Sequence, residues 1–125
     1  MKVRRGSEVI ALELLAALPL VDRCAFRGPG MWQAVPGVRS ASTLVVGESV
    51  YAYGFARGSP SFSGGMFLGF DTLDRERVIE TTAYSDHGCS GGALFDRFGN
   101  LIGIIAAGTG DHAISYALIT DDWWS

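Results

Sequence analysis

The chain has 125 residues, 48% of them apolar, which suffices for one compact core. Its 10 Lys and Arg against 13 Asp and Glu leave a net charge of -3, which argues against a nucleic-acid or polybasic membrane surface and points to peptides or proteins as partners. Seventeen glycines and few long helical patterns favour an all-β chain of short strands over a helical bundle. Cys24 and Cys89 lack metal-ligand spacing, and the 2 histidines have no cysteine cluster beside them, so neither a metal site nor a cofactor is expected. Each cysteine reads as a buried free thiol, with a disulfide between them left open.

At the amino end, Met1 to Arg5 followed by the apolar run Val9 to Val21 mimics a signal peptide. Glu8 and Glu13 interrupt that run, so neither a signal nor a membrane span is expected. Val3 to Arg5, the Gly6-Ser7 turn and Glu8 to Glu13 read as a β-hairpin. A helix over Ala11 to Leu18, capped by Ser7, competes with it. Pro19 closes the segment and Leu20 to Arg27 follows it. Gly28 to Gly30 and Pro36-Gly37 bracket a loop containing Met31 and Trp32.

Ser42 to Gly54 reads as a strand, with Val50, Ala52 and Gly54 alternating against Tyr51 and Tyr53. Phe55 to Ser61, rich in Gly, Ser and Pro, is expected to be a loop. Phe62 to Phe70 and Glu76 to Thr82 come next as strands joined by Asp71 to Arg75. Gly92 to Phe95 and Leu101 to Ala107 form a hairpin over Asp96 to Asn100, and Ala113 to Ile119 is the last strand. This spacing predicts a closed six-stranded Greek-key barrel, which removes exposed edges. The Trp123-Trp124 pair reads as a packing anchor at the start of a terminal helix.

The chemistry sits between those strands, in Asp86-His87-Gly88-Cys89-Ser90-Gly91-Gly92, which runs directly into Ala93-Leu94-Phe95-Asp96. Glycines around Ser90 permit positive φ and leave space above the hydroxyl for a reacting carbonyl. Successive amides in such a turn can converge on one point, as an acyl-transfer oxyanion requires.

Gly88-Cys89-Ser90-Gly91-Gly92, a small residue, a strand, a Gly turn at Gly99 and a second strand with Ile102-Gly103-Ile104 resemble the nucleophile region of trypsin-like serine peptidases. These have the chymotrypsin fold, and the likeness is strongest to the bacterial HtrA-type branch. Ala93 stands where Pro is usual, and Cys89 fills the variable position. Leu44 to Gly54 and Ile114 to Leu118 resemble further strands of that family, and Asp22 matches the Asp that opens one of its short strands. The resemblance covers about Lys2 to Trp124.

What it implies is a division into residues 1–27, a remnant of the first barrel carrying Asp22, and residues 28–125, the nucleophile-bearing barrel. Ser90 would be the nucleophile, the amides of Gly88 and Ser90 the oxyanion hole, and Asp22 the carboxylate that orients an imidazolium. Ala106, Ala107 and Gly108 would offer a strand edge to substrate, with Tyr84 and His87 beside the cleft. Cys89 is not expected to react, because the family places the reacting atom at the next residue.

A serine hydroxyl needs a base to take its proton. The family places that His well upstream of the Asp, yet only 21 residues precede Asp22 and none is His. His87, at the cleft rim, and His112, in a loop, do not read as substitutes. The expectation is a serine endopeptidase that is incomplete in these residues and depends on a His-bearing first barrel. The alternative is a catalytically silent barrel that binds peptides or proteins. Apolar surface left by an absent barrel would favour self-association.

Overall fold

The computed structural model describes residues 2–5, 7–18, 23–27, 35–56, 59–73, 75–83, 91–109 and 113–120. The chain divides into two units, Met1–Ala34 and Val35–Ser125. The first holds two separate antiparallel pairs. Strand β1 (Lys2–Arg5) pairs with β2 (Glu8–Ala11), with Arg5 opposite Glu8 across the expected tight turn. Strand β3 (Glu13–Leu18) pairs with β4 (Arg23–Arg27), with a bulge between Leu14 and Ala16.

The competing helix over Ala11 to Leu18 is therefore overruled. Its helix formers carry only a weak intrinsic preference, and the cross-strand partners of β4 outweigh it.

The second unit is a closed barrel of six antiparallel strands, β5 (Ser49–Ala56), β6 (Ser59–Leu73), β7 (Glu76–Thr81), β8 (Ala93–Asp96), β9 (Leu101–Gly108) and β10 (Ser115–Ile119). Around the barrel they run β10-β7-β6-β5-β8-β9, and β9 closes on β10. Three successive strands thus form a meander and the fourth returns beside the first, which is the Greek-key order. The expected closed, six-stranded Greek-key barrel is what the described residues of the second unit form.

Inward residues alternate as the sequence implies. Val50 and Ala52 from β5 meet Phe67, Ile79, Leu94, Ile102, Ile105 and Ala117 in one core, while Tyr53 and Phe55 face outward. Each of those core side chains is essentially sealed from solvent, and together they supply most of the apolar burial that holds the barrel closed.

Three sequence expectations need correction. The strand expected from Ser42 begins only at Ser49; Ala41–Thr43 is a 3-10 turn, and Gly47, at φ 93°, turns the chain into β5. The expected loop from Phe55 to Ser61 is mostly strand, because Phe55 pairs with Pro60 and Ala56 with Ser59. Pro60 is tolerated there because β6 meets β7 only from Phe67 onward, so a missing amide at this position breaks no second ladder.

The connection expected over Asp71 to Arg75 is tighter than its composition suggests, since β6 reaches Leu73, which pairs with Glu76. Arg75 takes φ 67° to make that turn, a left-handed conformation in which a side chain is strained. Arg75→Gly should therefore stabilise the barrel by about 0.5 kcal/mol, seen as a higher urea midpoint at unchanged slope.

Candidate active site

Ser90 connects to the barrel through the residues after it in the chain. Gly91 adopts φ 90°, which L-residues rarely adopt, and open space lies where its Cβ would be. Glycine is needed here for its backbone angle, with no crowding to forbid a side chain. The Gly91 amide donates to the Ile105 carbonyl at 2.7 Å, and the Ile105 amide donates to the Gly92 carbonyl at 2.8 Å. These two bonds extend the β8–β9 ladder, in which Ala93 lies opposite Ile104. The backbone immediately after Ser90 is thereby fixed to a central barrel strand.

Strand β9 continues beyond that anchor. Gly108 pairs with Ser115 and Ala107 with Tyr116, whereas Ile105 pairs with Ala117, so Ala106 is the extra residue of a bulge in β9. A bulge bends its strand and re-aims the side chains beyond the extra residue. Ala106, Ala107 and Gly108 thus lie together at the end of β9, with Ala106 and Ala107 half-buried and Gly108 exposed. The Thr109 amide donates to the Ile114 carbonyl at 2.9 Å, closing the β9–β10 connection.

On the approach to Ser90, β7 ends at Thr81. The Thr81 hydroxyl donates to the Met66 carbonyl at 2.8 Å and accepts the Ala83 amide at 3.0 Å. Thr82 joins the same point on β6: its amide donates to the Met66 carbonyl at 3.1 Å, and its Oγ1 accepts the Met66 amide at 3.0 Å. Tyr84, His87, Gly88 and Ser90, together with Asp22, Asp86, Cys89 and His112, lie outside the described residues. Of the expected site residues, the structure describes Ala106, Ala107 and Gly108 and brings them together with Gly91 and Gly92, the neighbours of Ser90 on the chain.

Sequence reasoning missed a polar cluster at the other end of β8. Arg39 grips Glu48 with both terminal nitrogens, at 2.7 and 2.9 Å, and Nη1 also reaches Asp96 at 3.4 Å. Its Nε donates to Thr43 Oγ1 at 2.9 Å and Nη2 to the Thr43 carbonyl at 2.8 Å, which engages every nitrogen of the guanidinium. Asp96, 2% exposed, accepts the amides of Phe98 and Asn100 and the Asn100 side chain at 2.8 to 3.0 Å. It therefore builds the β8–β9 turn from within.

Arg39 holds the Glu48 carboxyl below its ordinary range against the opposing effect of burial, helped by the Val45 amide. Burial pushes Asp96 up, but the Asn100 side chain, the amides of Asn100 and Phe98, and Arg39 together bring it below the usual carboxylate range. With their donors and acceptors spent on one another, these groups serve the fold. The available signal was Asp96 followed by Gly99-Asn100, a turn pattern in which the Asp side chain caps amides two and four residues on. Among the described residues, no group of three or more His, Cys, Asp and Glu could hold a metal ion.

The family model described as a trypsin-like peptidase domain matches residues 3–104. No curated protein shows a significant sequence match. Among solved structures, the M. tuberculosis protease Rv3671c in its inactive form is similar at a TM-score of 0.82 and 20% identity, over 98% of this chain and 68% of that one. Its active form gives 0.80 and 21%, over 94% and 57%. The HtrA-type protease AlgW with decapeptide gives 0.81 and 24%, over 93% and 39%. The chain thus spans from 39% to 68% of the length of these proteins, and the likeness to them is one of fold.

Proposed function

The chain belongs to the trypsin-like peptidase domain family, and on that footing we propose that it is the nucleophile-bearing part of a serine endopeptidase. Ser90 Oγ attacks the carbonyl carbon of a peptide bond while a histidine takes its proton, and the amides of Gly88 and Ser90 hold the oxygen that becomes negative. Asp22 orients that histidine and stabilises its charged form. The histidine comes from polypeptide outside these residues. In this reading neither His87 nor His112 serves as base.

The observation that carries the proposal is the anchoring of Gly91 and Gly92 to Ile105. Amides aimed at a developing charge help only if they are fixed before the reaction, and this anchor immobilises the backbone directly beside Ser90. In the same reading Ala106, Ala107 and Gly108 form a substrate-binding edge: an extended peptide lies along the end of β9, with Tyr84 and His87 at the rim of the cleft. The AlgW structure contains a decapeptide, which suits an edge that takes extended chains.

A fluorophosphonate probe, which bonds to activated serines, tests this. The chain alone is expected to show no peptide hydrolysis above a Ser90→Ala control. It should take up the probe at Ser90 only when the histidine-bearing polypeptide is present. Labelling of the isolated chain would overturn the external base. Failure to label in the presence of that polypeptide would overturn the peptidase reading and leave a silent binding barrel.

A further inference from the structure

We propose that Thr81 is a positioning residue for Ser90, its hydroxyl fixing the point at which the chain leaves the barrel toward the nucleophile. This rests on the reading of Ser90 given above. Thr81 is wholly buried, where a valine of the same shape would fill the space without a polar atom to satisfy. A buried hydroxyl costs stability unless its bonds are made, and here both are. Its proton goes to the Met66 carbonyl and its lone pair receives the Ala83 amide.

Ala83 is itself 0% exposed and is the last described residue before the segment 84–90. The described chain on either side of that segment is held at two posts. The exit post, Gly91 and Gly92 on Ile105, consists of backbone bonds alone. At the entry post the Thr82 amide and hydroxyl hold Met66, and the Thr81 hydroxyl adds the bond that ties Ala83, one residue further on, to the same strand. Thr82 on Met66 and the absence of a side chain at Gly65 bring the two backbones close enough for the Thr81 bonds to form. Among the described residues β7 borders β6 and β10 while β8 borders β5 and β9, so no direct strand pairing holds the posts together. Fixing the described chain at Ala83 is the part that Thr81 takes in presenting Ser90.

The test is hydrogen exchange in the chain with Thr81→Val and Thr81→Ser. In Thr81→Val, exchange across 84–92 should rise about tenfold while the Leu94 and Ile102 amides keep their protection, and Thr81→Ser should restore most of the difference. Unchanged exchange in folded Thr81→Val, an equal rise in Thr81→Ser, or an equal rise throughout the barrel would each overturn the proposal. If Thr81→Val does not fold, the unmodified chain decides. A protected Ala83 amide supports the post and a freely exchanging one removes it.

Fluorophosphonate uptake by the complex with the histidine-bearing polypeptide separates the two readings. No uptake with Thr81 present defeats the peptidase reading, while exchange still decides the tether. With uptake established, Thr81→Val should label about tenfold more slowly and Thr81→Ser nearly normally. Equal labelling rates would leave Thr81 with no part in presenting Ser90.

Discussion

Gly65→Ala should destabilise the barrel by about 3 kcal/mol, the upper end of what overpacking costs. Gly65 lies opposite Val50 on β5, and its free side faces the backbone that leaves β7. A Cβ there would sit 2.6 Å from both Ala83 Cα and the Thr82 carbonyl carbon, and closer still to the Ala83 nitrogen. Backbone atoms cannot swing aside as a side-chain tip can, so β6 and the end of β7 would have to separate. Separation would break the bonds of Thr81 and Thr82 to Met66 as well. The midpoint of thermal unfolding should fall by about 10 °C. Gly64→Ala is the control, since its Cβ would meet only the Tyr51 ring, at 3.3 and 3.4 Å, and that ring can yield. If the two substitutions cost the same, the close approach at Gly65 is not what that position requires.

Asp96→Ala should be comparably severe, at about 3 kcal/mol, because it strips several donors at once in a buried place. The amides of Phe98 and Asn100 and the Asn100 side chain lose their acceptor, and Arg39 loses its second carboxylate. Acid should weaken the protein through the same cluster. Glu48 and Asp96 titrate below their ordinary values of 4.5 and 3.8 in the folded chain. Depressed carboxylates add stability that is complete above the unfolded values and disappears as pH falls through the folded ones. Urea midpoints should accordingly drop as pH is lowered from the mid-4 range. The Asp96→Ala variant should lose less over that interval, and equal acid slopes in the two proteins would show that Asp96 does not contribute.

How much the sequence made legible depended on how local its signals were. Strand β5 could be read because Val50 and Ala52 alternate with Tyr51 and Tyr53, and two-residue periodicity is a property of neighbours. The hairpin joining β5 to β6 was hidden. Ser59, Pro60 and Ser61 have loop composition, and only pairing with Phe55 and Ala56 makes them a strand. Ala11 to Leu18 offered a competing helix, since its helical preference is intrinsic and its β pairing is supplied from β4.

In the proposed site, Ser90 and its glycines form a contiguous motif that can be read without the fold. Arg39, Glu48 and Asp96 do not, because Arg39 and Asp96 lie 57 residues apart and meet only in the folded chain. The Thr81 hydroxyl gave no signal either. A Thr at the end of a strand is ordinary until its two partners are seen.

The route of the chain from β7 to β8 has a consequence for the order of assembly. The segment carrying the serine leaves one seam of the barrel and rejoins at another, so its two ends take their places only when distant parts of the chain have met. The hairpins β5–β6 and β6–β7 can zip from their turns, whereas β5–β8 and β7–β10 are long-range pairings that fall late in a chain of this topology. A half-formed barrel would leave that segment without its two attachments, Ala83 on Thr81 at one end and Gly91 with Gly92 on Ile105 at the other. In the function proposed above, the geometry that Ser90 needs is then a product of the finished fold, and it arrives only when the last seam has shut.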